Sequence, residues 1–329
     1  MMRPKVFTLT VLVSILIMYG MSLSIYTGYD PEQRYPRKPN DKYFSYTKEY
    51  SIKQFNSLKD NRATLVFGTS QIHSISSEMM KKNILNFHNL YCEPGDILNF
   101  LSQLNSQQIS NIDEIIFLID ISSLEGKKDS YFIDYSETTT IDFKLTWKKL
   151  KETYVHIMSN LNNEYSHYLN IDGSMTLVNP SQHIGRPMKK PGTNKFTYDI
   201  LDSQIDGLVE INNFIRKNNI KVTYITPVAI EQVFVRYDLN SLHDFYVKLM
   251  KKGIKSLNLF YFIDNMSNLQ NREFDYIAFK DAGHLNQVYV EKWLHHYILK
   301  NTQYRVNNLA ELKSYFEGMS KKQKELTID

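Results

Sequence analysis

Cysteine is almost missing from this chain: Cys92 is the only one in 329 residues. No internal disulfide can form, and a single thiol of this kind reads as a small buried hydrophobe. Metal-ligand spacing is also missing. There is no His-x-x-x-His helix and no carboxylate–histidine cluster, so the sequence implies neither a metal nor a cofactor. No internal repeat is visible. An excess of one charge is lacking too, since 39 Lys and Arg against 35 Asp and Glu leave +4. So mild and dispersed a balance argues against a nucleic-acid partner. Only one uncharged apolar run is long enough to cross a bilayer, and no second one follows.

That run lies at the amino end. Met1–Lys5 is a short basic head, and residues 6–25 carry no charge. Twenty residues of helix rise about 30 Å, the thickness of a bilayer core. Basic residues ahead of the run predict that the head stays in the cytoplasm and the bulk of the chain crosses. Ser22-Leu23-Ser24 also fits a cleavage site, so a removed signal peptide is the alternative to an uncleaved anchor. Both readings put the domain on the outer side of a cytoplasmic membrane. Residues 26–61 are polar, rich in Tyr and broken by Pro31, Pro36 and Pro39, which predicts a stalk.

From residue 62 strands and helices alternate. Ala63–Phe67, Ile84–Phe87, Glu114–Ile119, Lys221–Thr226 and Leu259–Ile263 predict strands, and the continuous apolar run that ends Glu114–Ile119 is of the kind buried on both faces. Between them, helical spacing is read over residues 73–82, over 96–104 with Asp96 as a cap, and over 199–218. It is read again over 241–252 with Ser241 as a cap, and over 286–300. Residues 141–161 are also read as helix inside 125–198, a segment that breaks the alternation and predicts an insertion over the sheet edge, a lid or substrate platform. Residues 301–329 read as a polar tail. Recurrent strands with helical crossovers predict an α/β fold with a mostly parallel sheet between helical layers, spanning 62–300.

Two short segments carry chemistry. Gly68-Thr69-Ser70 ends the first strand, where a tight turn presents a side chain at the carboxyl edge of the sheet. Asp281-Ala-Gly-His284 stands between the last strand and the last helix. A serine hydroxyl needs a base within hydrogen-bond reach, and the base needs a partner that fixes its tautomer. If the loop turns back, Asp281 meets one ring nitrogen of His284 and the other faces Ser70. In isolation each residue has a plainer reading: Ser70 as a helix cap, Asp281 as a turn former, His284 as a loop histidine. His73 and the pair His295-His296 read as surface residues, with His73 a minor rival base. His183 and Arg186 in the insertion read as glycan or phosphate contacts, or as solvated loop.

Together the two segments resemble the SGNH (GDSL-type) hydrolase superfamily. With the amino-terminal anchor, the chain is similar to the membrane-anchored branch that holds alginate O-acetylation and D-alanyl-lipoteichoic acid transfer proteins. The resemblance covers 62–300 and implies a flavodoxin-like three-layer fold. It also implies Ser70 as nucleophile, His284 as general base and Asp281 as its orienting acid. The oxyanion hole would take the amides of Ser70 and Gly95, with a hydroxyl from Ser122. Thr69 stands where the family usually has Asp. The third strand ends Asp120-Ile-Ser122-Ser123 without the family's Asn, so Asp120 becomes a weak substrate contact. The implied function is an O-acyltransferase acting on a cell-envelope or exported polysaccharide beside a membrane-bound O-acyltransferase. An envelope carbohydrate esterase with the same triad, or a non-catalytic scaffold that binds glycan or that acyltransferase, are the alternatives.

Overall fold

The computed structural model describes residues 13–14, 17–20, 55–56, 58, 61–88, 93–121, 124, 167–169, 172–177, 196, 198, 200–227, 234–259, 279–281, 284–285 and 305–328. Strands β1 (Ala63–Phe67), β2 (Ile84–Phe87) and β3 (Ile112–Leu118) are buried along almost their whole length. Unbroken apolar runs suit strands covered on both sides. β6 (Lys221–Ile225) and β7 (Leu257–Asn258) extend the same sheet, and β10 (Arg305–Val306) closes it antiparallel to β7. Two hairpins stand apart, β4 (His167–Leu169) with β5 (Met175–Leu177), and β8 (Phe279–Asp281) with β9 (His284–Leu285).

The six strands run in the order β10-β7-β6-β3-β1-β2, and all pairs except β10–β7 are parallel. Numbered as the chain meets them, the parallel strands stand 2-1-3-4-5. The order reverses between β1 and β3, and ligands bind at the carboxyl ends of such a reversal.

Helices α2 (Pro94–Ser102), α4 (Asp202–Lys217), α5 (Leu239–Lys251) and α6 (Leu309–Ile328) touch one another in sequence along one face of the sheet. The short α1 (Ser77–Met80) follows β1, and the short α3 (Ser106–Ser110) precedes β3. On the first face Leu65, Phe67, Phe87, Ile115, Phe117 and Tyr224 join one core with the helical stripes Ile205-Leu208-Ile211-Ile215 and Leu242-Phe245-Leu249. Residues of opposite parity, Val66, Ile84, Ile116, Leu118 and Ile225, are as deeply buried, as are Ile72, Ile75, Met79 and Met80 beyond β1. The sheet is therefore the middle of three layers. The close crossing of α4 over α2 depends on Gly207, where a Cβ would stand 2.7 Å from Pro94 Cβ.

Several expected boundaries move. The 199–218 helix begins at Asp202. The helix expected over 241–252 begins at Leu239, and its cap is Asp238, whose carboxylate accepts from the amides of Asn240 and Ser241. Asp96 lies inside the first turn of α2, and Glu93 holds the cap position without a side-chain bond. Residues 73–82 hold only the four-residue α1. The polar tail is corrected most: residues 305–306 are β10, and α6 buries Leu312 and Phe316 in the core. The stalk also ends early, because Phe55 is 2% exposed and meets Phe100 edge-on at 5.6 Å. The helix expected over 141–161, the one over 286–300 and most of the last expected strand lie outside the described residues, as does most of the 125–198 insertion.

The expected span 6–25 also lies mostly outside them. Its described parts, 13–14 and 17–20, are helical. Among the described residues no helix is long and apolar enough to cross a membrane.

One ion group marks the amino end of the sheet. Glu114 on β3 is 4% exposed at its side chain and accepts from Lys82 Nζ at 2.9 Å and Thr223 Oγ1 at 2.8 Å, with Lys221 Nζ at 3.2 Å. Burial alone would raise its pKa. The bonds from Lys82 and Thr223, with the charges of Lys82 and Lys221, outweigh burial and lower it. Its stabilisation is therefore complete above the unfolded carboxyl value of about 4.3 and is lost as pH falls through the lower folded value. Glu114→Gln should cost about 2 kcal/mol near neutral pH, measured by denaturant unfolding. The gap between variant and wild type should narrow on acidification toward about pH 3. A gap that stays constant would contradict this assignment.

Candidate active site

β1 leaves the sheet at Gly68. A Cβ built there would stand 2.6 Å from both Ile72 Cδ1 and Leu118 Cβ, closer than real side-chain carbons come. Glycine lets β1 stay paired with β3 up to Phe67↔Phe117 while the chain folds over its own end. A 3-10 turn over Ser70–Ile72 follows at once, closed by the Ile72 amide on Thr69 O at 3.1 Å and extended by the Ile75 amide on Ile72 O at 3.0 Å. Ser70 thus opens a tight turn at the carboxyl end of β1, beside the point where strand order reverses. The Thr69 hydroxyl and the Gln71 side-chain oxygen, on either side of Ser70, are buried with no hydrogen-bond partner among the described residues. Leaving such groups unpaired costs about 1–3 kcal/mol each, which sites that take a polar ligand tolerate.

The Asp281 and His284 segment forms a hairpin rather than an open loop. β8 and β9 pair antiparallel with Asp281 directly opposite His284. Opposed positions of this kind hold Cα atoms about 5 Å apart. β9 lies against the 3-10 turn that begins at Ser70, with Cα atoms of the two elements within 8 Å. The backbone therefore brings together two segments from near opposite ends of the sequence.

Gly95 sits in the first turn of α2, and among the described residues no atom outside its own helix backbone and chain neighbours comes within 4 Å of where its Cβ would stand. α2 follows β2, so its amino end belongs to the same carboxyl rim. Glu93 beside it has a pKa raised by burial and by the charge of Asp96. Asp120 lies two residues past the end of β3 and is 9% exposed. Ser122, His183, Arg186, Cys92 and the pair His295-His296 lie outside the described residues. His73 is corrected: it is not a surface residue but 7% exposed, on the segment between the 3-10 turn and α1.

The stretch 86–95 is expected at this rim from the sequence, but three residues near the rim are not singled out by it. His88, 2% exposed at the end of β2, packs edge-on against His73 with ring centroids 6.2 Å apart. Asn86, fully buried on β2, donates to the turn after Ser70. Its signal was there: a polar amide in a strand covered on both faces must find partners. Tyr237 lies among Phe196, Tyr198 and Phe234, with centroids 5.8, 6.4 and 6.3 Å away, while Arg236 stacks 4.2 Å above the Phe196 ring.

A separate cleft of about 310 Å³ lies between the amino end of α5 (Asp238, Leu239, Asn240) and the last turns of α6 (Ser320, Gln323, Lys324). It includes no residue of the carboxyl rim. No group of three or more His, Cys, Asp and Glu that could hold a metal ion occurs among the described residues. Comparisons with protein families, with curated proteins and with solved structures return no match.

Burial, and then the charge of Asp120, raise the pKa of the Tyr237 phenol. Asp120→Asn should lower that pKa while leaving it above the ordinary value of about 10, because burial is the larger cause. Alkaline ultraviolet difference titration against Tyr237→Phe reads it. An unchanged Tyr237 titration would show that the Asp120 charge does not act on the Tyr237 phenol.

Proposed function

We propose that the protein is an SGNH-like O-acyltransferase of the cell envelope, with Ser70 as nucleophile, His284 as general base and Asp281 as its orienting acid. The observation that carries this reading is the approach of β9 to the 3-10 turn, which sets the His284 backbone beside the one that begins at Ser70. The strand order 2-1-3-4-5 agrees with a flavodoxin-like SGNH fold. The unpaired Thr69 and Gln71 oxygens beside Ser70 suit a polar acyl donor or a sugar.

His284 takes the Ser70 proton as Oγ attacks the acyl carbonyl of a donor. The tetrahedral intermediate collapses, the donor's leaving group departs with that proton, and the acyl group stays as a serine ester. A sugar hydroxyl, deprotonated by His284, then attacks the ester. Its collapse forms the acylated glycan and returns the proton to Ser70. The oxyanion would be met by the amides of Ser70 and Gly95, with Ser122 as a further donor. Each such donor is commonly worth about 3 kcal/mol. Transfer needs water kept out, and the 125–198 insertion is the proposed cover. The acceptor is an envelope or exported polysaccharide, and a membrane-bound O-acyltransferase supplies the acyl group.

The domain faces the periplasm or cell exterior, held by a single anchor over residues 6–25. In favour of the anchor, Val13, Ile17 and Met18 are 45%, 56% and 64% exposed although apolar. Asp120, a carboxylate that cannot donate when ionised, follows β3 where an oxyanion-hole amide would serve hydrolysis. This counts against an efficient esterase and favours the second reading, a non-catalytic scaffold, because any acyl step on Ser70 needs its oxyanion met.

A fluorophosphonate should label Ser70 in the full chain. Labelling should disappear in Ser70→Ala and fall by about a hundredfold or more in His284→Ala, read by mass spectrometry of the adduct. Absence of label on folded wild type, with envelope acylation unchanged by Ser70→Ala, would leave only the scaffold.

A further inference from the structure

Asn86 makes more hydrogen bonds than its place in an apolar strand requires. Its Nδ2 donates at 2.8 Å to both Ile72 O and Ile75 O. Both amide hydrogens are thereby used, so Oδ1 is the acceptor, and it takes the His88 backbone amide at 3.0 Å and His88 Nδ1 at 3.2 Å. His88 Nδ1 must then carry the proton in this bond. The backbone amide of Asn86 points away from β1, off the edge of the sheet, and donates to Asp172 O at 2.8 Å.

Asp172 belongs to the turn of the β4–β5 hairpin, beside Gly173 at φ 79°. Its carboxylate accepts from the Ser77 amide at 2.6 Å, and from Ser174 N at 3.0 Å and Ser174 Oγ at 2.6 Å. Asp172 and Ser174 are 8% and 0% exposed. The chain from Ser70 to Ser77 is thus pinned at Ile72 and Ile75 by Asn86 and at Ser77 by Asp172. One buried network joins the inserted hairpin, the edge strand and the turn that opens with Ser70. In a buried setting such charge-assisted and bidentate bonds fix one backbone geometry.

We propose that Asn86 and Asp172 are positioning residues for the Ser70 turn, so that the inserted hairpin is part of the nucleophile's mounting and not only a cover. The catalytic half of this proposal rests on the reading of Ser70 as nucleophile; the structural half does not. Asn86→Asp keeps the shape but cannot donate to both carbonyls. Asp172→Ala removes the carboxylate and leaves Asn86 in place.

The test measures two quantities on the full chain: amide hydrogen exchange resolved along the sequence, and the second-order rate of fluorophosphonate labelling. Both variants should exchange about tenfold or more faster at Ile72, Ile75 and Ser77, with β3 and β6 unchanged. Ser70 labelling should slow by about tenfold or more at temperatures where circular dichroism shows intact fold. Exchange within about twofold of wild type in both variants overturns the proposal. So does exchange that rises evenly over the whole sheet, since that is general destabilisation. Local exchange that rises while labelling keeps its rate overturns the catalytic half. If wild type takes no label, the Ser70 reading falls and exchange alone decides the mounting. If Asn86→Asp does not fold, Asp172→Ala is read in the same way.

Discussion

Everything at the carboxyl rim depends on how closely β1 is held to β3 where it ends. At Gly68 there is no room for a side-chain carbon between Ile72 and Leu118. That closeness keeps the two strands in register to their last residues and forces the chain up and over the sheet in a single tight turn. A larger residue would push the turn off β3 or pull β1 out of register, and overpacking of this kind commonly costs about 1–3 kcal/mol. The turn also falls where strand order reverses, the place at which an open α/β sheet leaves a crevice.

The turn is held from three sides. Beneath it is the second layer of apolar side chains, with Ile72 and Ile75 fully buried. Beside it is the Asn86 amide, fixed by two carbonyls. The third support is the β8–β9 hairpin, whose β9 reaches the turn from near the far end of the chain. The opposite edge of the sheet is handled differently. There β10 closes β7 antiparallel and α6 packs against β10.

The strands were legible because a parallel sheet covered on both faces demands unbroken apolar runs. Ala63–Phe67 and Ile84–Phe87 agree with the structure residue for residue, and Lys221–Thr226 runs one residue past β6. α6 was not legible: it is polar over most of its surface and is fixed by only a few apolar side chains, Leu312 and Phe316 foremost, that dock on α5. Phe55 was hidden for a similar reason, as one aromatic in a polar stretch that finds Phe100 only in three dimensions. At the rim, the sequence marks Ser70 and the Asp281–His284 pair by their places at a strand end and in a glycine loop. It says nothing of the approach of β9 to the turn, or of the Asn86–Asp172 network, because both are long-range. His73 was misread because three residues past a turn serine looks like exposed helix, whereas the chain there is buried from Ile72 to Ile75.

The central claim is that the base at 284 can reach the hydroxyl at 70. The most direct measurement is a crystal structure of the α/β domain, grown near neutral pH, with the two side chains well defined. The account predicts a ring nitrogen of His284 within about 2.6–3.2 Å of Ser70 Oγ, with Asp281 on the other nitrogen. An imidazole turned away from Ser70, or walled off from it by another side chain, would contradict the account and leave the fold without its chemistry.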